Sequence, residues 1–380
     1  MRPSHAQPLD NLNYFPLPLS VRVIGSVLKQ LSEKLDNVRC LAGEIITDMI
    51  SDGSKYELPI VVDRYLLIES LKAPRGTLEG DVYQKAIREN EVNWSSPHVT
   101  FPMMLKAMNS TAYHTAVVSG LVISVGGITE SVVKASSAAM VEWVRVVKRI
   151  KNLGLGRKLG RTLCDLLKGN KGNDRVVVPC LKTINLLLKN ELPTRSSKFG
   201  ESDDFMNNVL DCCKVEVGKS RNFGKIIAVI DVVARFAERI VDQFDENENG
   251  GNGDENGNGK EDDDKVGISN SADITRLKST ILSFLCHPFP RIRSYASSQL
   301  YSVMATNDFF VTDSVLRREI EDIVLAGNWE IEDDAREERR ELARRMGVEV
   351  KEGGKKEKKR TENVKDDMES YMCLVKEAGR

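Results

Sequence analysis

With 380 residues, the chain is long enough for two ordinary domains or for one continuous array of stacked helices. Hydrophobic residues make up 41% and charged residues 29%, as in ordinary soluble proteins, while aromatics at 6% are sparse for a β-sandwich or barrel and favour a helical class. The 55 basic and 56 acidic residues leave a net charge of −1, which excludes a global field directed at nucleic acid or an anionic membrane, so charge-driven binding has to be local.

The opening MRPSHAQPLDNLNYFPLPLS has no cationic start followed by an apolar core, so no secretory signal is read and a cytosolic protein is expected. From Val21 to Leu35, apolar residues Val23, Ile24, Val27, Leu28, Leu31 and Leu35 share one face of a 3.6-residue period, and Val38 to Ile50 repeats the pattern. Further helices are predicted over Ile60–Leu71, Thr100–Met108, His114–Val125, Glu130–Ile150, Arg157–Leu167, Val176–Asn190, Asp203–Cys213 and Asn222–Phe244. Asp273–Cys286, Ile292–Ala305, Ser314–Ala326 and Asp333–Met346 complete the series, and strand-like alternation is almost absent. The most apolar run, Val117 to Val125, is interrupted by Ser119, Gly120 and Ser124 and is far shorter than the roughly 20 residues a bilayer demands, so no membrane span is expected.

Short Gly, Pro, Asn or Asp breakers between these segments favour antiparallel neighbours. One signature recurs: Val38-Arg39-Cys40-Leu41-Ala42, Val133-Lys134-Ala135-Ser136-Ser137 and Ile292-Arg293-Ser294-Tyr295-Ala296, with Val177 to Ile184 as a weaker fourth copy. A branched residue to seal the hairpin, a cation free to reach a neighbouring repeat and a small residue for close approach are the second-helix pattern of HEAT-type repeats. The prediction is an all-α, HEAT/armadillo-like solenoid of stacked helical hairpins. It comprises an N-terminal extension over 1–20, a helical-repeat domain over 21–244 and continuing repeats over 272–348. Residues 245–271, whose core DENENGGNGDENGNGKEDDDK lacks any apolar side chain, are expected to form a disordered acidic loop, and 349–380 a charged tail.

Tests for chemistry come out negative. Two frames, from Asp245 and from Asp254, open like EF-hand loops, but position 12 is Asn256 in one and Lys265 in the other instead of a bidentate Glu. GLVISVGG (Gly120 to Gly127) is followed by Ile128 and Thr129 rather than the Lys and Ser/Thr of a phosphate loop. LGLGRKLG spaces Gly154, Gly156 and Gly160 too widely for a dinucleotide fingerprint, so both glycine groups are read as helix-terminus punctuation. His5, His98, His114 and His287 are scattered. Seven cysteines (Cys40, Cys164, Cys180, Cys212, Cys213, Cys286, Cys373) lack CxxC pairing and read as reduced, mostly buried thiols. The carboxylates of Glu330 to Asp334 run into Arg336 to Arg340 and suit a solvated helix face. No catalytic residue, cofactor or metal is expected. An extended repeat surface would bind through a few anchors, for which Trp94, Arg145, Arg149, Arg291 and Arg293 are the exposed candidates.

HTAVVSGLVISVGGITESVVKASSAAMVEWV (His114 to Val144), with VNWSSPHVTFPMML before it, resembles the C-terminal region of the tubulin-folding cofactor D family. The most distinctive stretch runs from Gly120 to Ser131, with Gly120, Ser124, Gly126, Gly127, Thr129, Glu130 and Ser131 as its signature. EKLDNVRCLAG, HPFPRIRSYASSQLY and Trp329 to Val348 also fit, and the likeness covers roughly residues 15 to 350 of this chain but only the last third of the longer family solenoid. The resemblance implies a non-catalytic scaffold that binds β-tubulin, assists assembly of the αβ-tubulin heterodimer with sister cofactors and stimulates GTP hydrolysis by tubulin. It implies a small Arf-like GTPase as a further partner, a place in the cytoplasm with the microtubule cytoskeleton, and neither nucleic acid nor membrane. A generic helical-repeat adaptor, of the transport-receptor or phosphatase-scaffold kind, is the alternative; it has no reason to carry the Gly120–Ser131 block.

Overall fold

The computed structural model describes residues 16–51, 57–58, 60–71, 92–192, 205–218, 220–240, 271–308 and 310–349. The two EF-hand-like frames, His5, Cys373 and the charged tail beyond 349 lie outside them. The described residues form fourteen α-helices and no extended strand: α1 Leu17–Gln30, α2 Asp36–Ile50, α3 Arg64–Leu71, α4 Pro97–Ala107, α5 His114–Val125, α6 Glu130–Arg149, α7 Leu153–Gly169, α8 Asp174–Lys189, α9 Phe205–Val217, α10 Phe223–Ala237, α11 Ser271–Phe284, α12 Pro290–Thr306, α13 Ser314–Ala326 and α14 Glu332–Arg345. Each predicted segment holds one of them.

Boundaries moved where local chemistry sets them. α1 opens at Leu17, within the stretch read as an N-terminal extension, with a proline in its first turn. α7 begins four residues before Arg157 because the Asn152 side chain accepts the Leu155 amide at 3.2 Å, taking Gly154 and Gly156 into the helix. α4 starts on Pro97, whose missing N–H costs nothing there. α3 starts only at Arg64, after Asp63 has turned the chain through a left-handed φ of 51°.

Packing follows chain order. α1 lies on α5, α5 on α7 and α7 on α9, making one layer; α4, α6, α8, α10 and α12 contact one another in succession and make the second. This stacking of neighbours into two layers is an α-solenoid of helical hairpins. Helix α6 shows why it forms: Val132, Ala135, Ser136, Ala139, Met140, Trp143, Val144 and Val147 fall on one buried stripe, with Lys134, Glu142, Arg145 and Arg149 opposite. Helix α5 is buried on almost every side, since α1, α4, α6, α7 and α8 all pack on it. That is why its sequence is the most apolar run in the chain. Among the described residues no helix is long and apolar enough to cross a membrane.

Candidate functional site

The signature block divides into a buried half and an exposed half. A Cβ on Gly120 would lie 2.0 Å from Ser32 Oγ and 3.0 Å from the Lys29 carbonyl, so the bare glycine lets α5 touch the end of α1. One turn later the buried Ser124 hydroxyl donates to the Ser32 carbonyl, tying the same two helices together. Gly126 faces α8: a Cβ there would come within 2.4 Å of Cα and Cβ of Pro179, a proline inside that helix. Gly127 completes the turn by donating its amide to Ser124 O at 3.1 Å. Ile128 is then 99% exposed, Thr129 opens α6, Glu130 pairs with Lys134 at 2.6 Å in solvent, and Ser131 is also exposed. The glycines are therefore points of contact between α1, α5 and α8. The reading of Gly120 and Gly160 as helix-end punctuation is corrected: both sit inside helices, and Gly160 gives room to the Phe205 ring.

The five expected anchors separate cleanly. Arg145, Arg149 and Arg291 are exposed. Trp94 is not: at 8% exposure its indole lies over Gly43 of α2, where a Cβ would come within 2.2 Å of the ring. Arg293, 1% exposed, is spent inside the fold. Its Nε donates to Trp329 O at 2.7 Å, Nη1 to His287 O at 2.8 Å and Pro288 O at 3.1 Å, and Nη2 to Glu330 O. Both are corrections, each with its own reason: Gly43 leaves room for the Trp94 ring, and the buried carbonyls around Arg293 need donors, of which a guanidinium carries five in a fixed fork.

The same clamp occurs at the other end of the array. Arg39, fully buried, donates from Nη1 to Glu33 O at 2.7 Å and from Nη2 to Ser95 O and the Asp36 carboxylate. Glu33 and His287 each stand six residues before their arginine. Ser95 and Glu330 each follow a buried tryptophan and precede the residue that caps the next helix, α4 or α14. The recurrent signature flagged both arginines, but its third copy is out of register. In α2, Arg39 stands three, four and seven residues before buried Ala42, Gly43 and Ile46; in α6 the residue so placed is Val132, and Lys134 reaches solvent. Val177 has that place in α8.

Elsewhere the ionisable groups are structural. Lys225, at the head of α10, is buried against Glu216 (3.1 Å) and Asp174 (2.7 Å). Burial pulls its pKa down, yet the two carboxylates outweigh that and hold it raised, while Lys225 holds Asp174 below its ordinary value. Cys164, Cys180 and Cys213 are buried thiols outside any disulfide, and burial pushes Cys180 and Cys213 up. His114 Nδ1 meets Met108 O at 2.7 Å, its Nε2 is buried without a partner, and burial holds its pKa below 6.5. Glu332 and Asp333, from the acidic run, pair with Arg336 on the solvated face of α14. Among the described residues no group of three His, Cys, Asp or Glu could hold a metal.

The surface feature that sequence inspection missed is a groove of about 500 Å³ between α4 and α6. Pro102, Leu105, Ala138 and Val141 line it, and His98, Glu142 and Arg145 stand at its rim. Ala135, Ala138 and Ala139 let it open, and only the pairing of α4 with α6 reveals what they face.

A layered array of helical hairpins, with a groove and exposed cations on its second layer, defines a helical-repeat protein. The profile of the family described as tubulin folding cofactor D C terminal matches residues 21–225, more than half of the chain. The chain belongs to that family. No solved structure matches it.

Proposed function

We propose that this chain is a non-catalytic scaffold of the tubulin-folding machinery, which binds β-tubulin and assists assembly of the αβ-tubulin heterodimer. The observation that carries this reading is the family match over residues 21–225, which spans α1 to α9 and reaches into α10. The exposed half of the signature block and the second helix layer supply surface for a large folded client, as repeat arrays do. Sister cofactors and a small Arf-like GTPase belong to the same reading, as does stimulated GTP hydrolysis within tubulin rather than in this chain. So does a place in the cytoplasm alongside microtubules. The domain scheme proposed is one repeat unit over 21–244, continued over 272–348 beyond an acidic segment.

Size-exclusion chromatography of the purified chain with αβ-tubulin at micromolar concentration tests it. Co-elution is the expected result, along with faster GTP hydrolysis when the sister cofactors are added. Separate elution of chain and tubulin, with or without those cofactors, would refute the reading and leave the generic repeat adaptor in its place.

A further inference from the structure

We propose that the face made by α4, α6 and α8 is a docking site for an extended acidic peptide segment carrying one apolar anchor residue. The anchor belongs in the groove between α4 and α6, where Pro102, Leu105, Ala138 and Val141 present apolar surface to solvent. The acidic residues belong beyond it. Arg145 stands at the groove's end and Arg149 one turn further along α6. On α8, Lys182 and Lys189 are exposed seven residues apart, which places them on one face. An ion pair between Lys148 and Glu191 holds the ends of α6 and α8 side by side, so Arg149 and Lys189 lie at the same end of this surface.

The charge here is available. Glu191 is taken up by Lys148, and Glu142 meets Arg145 only at 3.5 Å with both groups more than half exposed. Among the described residues Arg149 and Lys182 make no ion pair, and the one carboxylate Lys189 acts on, Glu238, is already paired with Arg235. The groove end is therefore net positive on a chain whose overall charge is near zero, a local attraction of the kind that selects an acidic ligand. From Ala138 to Arg149 the helix rises about 17 Å, which about five extended peptide residues span. One leucine-sized side chain followed by several carboxylates fits that length. The groove lining holds no Phe, Tyr or Trp on which bases could stack, and His98 at the rim is its one ring, which favours a peptide over a single-stranded nucleic acid. The identity of the natural ligand as a segment of a tubulin-pathway protein rests on the function proposed above; the docking site itself does not.

Fluorescence anisotropy on the full chain tests the site, with a fluorescein-labelled heptapeptide of glycine, leucine, glycine and four glutamates as probe. Saturable binding is expected, weakened about tenfold when leucine is replaced by serine or when salt is raised from low to physiological ionic strength. The double variant Arg145→Glu, Arg149→Glu should lose binding, and Ala138→Tyr, which fills the groove from an exposed position, should weaken it. Arg318→Glu, an exposed change on α13, should leave it unaltered. Equal affinity for the peptide with lysines in place of glutamates, indifference to the Arg145/Arg149 variant, or tighter binding of a decathymidylate would overturn the proposal. So would the absence of saturable binding at millimolar peptide. Tubulin co-elution separates the two claims: wild-type chain that binds the peptide but not tubulin keeps the docking site and removes the functional reading. A double variant that loses both places tubulin's contact on this face.

Discussion

The two ends of the array and its middle solve one packing problem differently. In α2 and α12 the position three residues before the first buried small residue is an arginine, whereas in α6 and α8 it is Val132 and Val177. The arginines occur where the chain leaves the second helix, makes an extra helix (α3 or α13) and returns to begin α4 or α14. That returning segment brings a backbone carbonyl, Ser95 or Glu330, against the second helix, with a tryptophan beside it. In the middle the chain passes from α6 to α7 and from α7 to α8 through short turns, and the apolar side chains of Val132 and Val177 fill the place. In α10 the same place holds Lys225, buried against the Glu216 and Asp174 carboxylates, so it is the arginine fork, and not a buried charge as such, that reports a returning segment of backbone.

The largest test exchanges the two solutions. Arg293→Met keeps most of the stem but strands four carbonyls, so stability should fall by about 3–5 kcal/mol, read as the shift in urea midpoint at constant slope. Val177→Arg buries a charge with no waiting acceptor and should cost at least as much. A loss below about 1 kcal/mol for Arg293→Met would show that the clamp is incidental to stability.

A smaller effect separates contacts that belong to the clamp from those that do not. Gly43→Ala would drive a methyl to within 2.2 Å of the Trp94 ring, and Gly126→Ala one to within 2.4 Å of Pro179. Overpacking of this kind costs about 1–3 kcal/mol at each site. Displacing Trp94 also displaces the Ser95 carbonyl that Arg39 holds, so Gly43→Ala should couple with Arg39→Met by more than about 0.5 kcal/mol in a double-mutant cycle. Gly126→Ala with Arg39→Met should be additive. Additivity in both pairs would detach Trp94 from the clamp.

Protonation gives a third, weaker contrast. In the middle of the array His114 is buried with Nε2 unpartnered, and burial, with the charge of Lys158 nearby, holds its pKa below 6.5. Near the C-terminal clamp, burial and then Arg293 hold His287 below 6.5 as well. The unfolded chain takes up these protons first as pH falls, so stability is fully present above pH 6.5 and declines as pH drops through the folded values. Urea midpoints measured from pH 7.5 down to 5 should fall, and His114→Asn should flatten part of that slope. An unchanged slope would assign it to His287 alone.

How much of this could be read in the sequence depends on the range of the interaction. Helix existence was legible because burial of one face imposes a 3.6-residue period within a single segment, as in α6. Helix starts were less so, because Asn152 and Pro97 act through caps that hydrophobic spacing does not register. The Gly120–Ser131 block was recognisable as a pattern, but its work is done against Ser32 and Pro179, far away in the chain. Arg293 and Trp94 were placed at the surface because a cation and a large indole are usually partly wet there; each has a remote partner, Glu330 or Gly43, that hydropathy does not reveal. The groove was invisible for the same reason, since Pro102 and Ala138 lie on different helices.

The smallest expected effect also has the opposite sign. Gly169 is the last residue of α7; a Cβ there would meet nothing within 4 Å, and its φ lies outside the left-handed region. Its glycine serves neither as a contact point, like Gly120 and Gly126, nor as a left-handed turn, like Gly172 with φ of 77°. Gly169→Ala should therefore restrict only the unfolded chain and improve helix propensity, raising stability by about 0.5–1 kcal/mol. Thermal melts of Gly169→Ala and Gly120→Ala side by side put the distinction on one axis. If both variants melt lower than wild type by similar amounts, the block's glycines are not special contacts, and any glycine in this array resists a side chain.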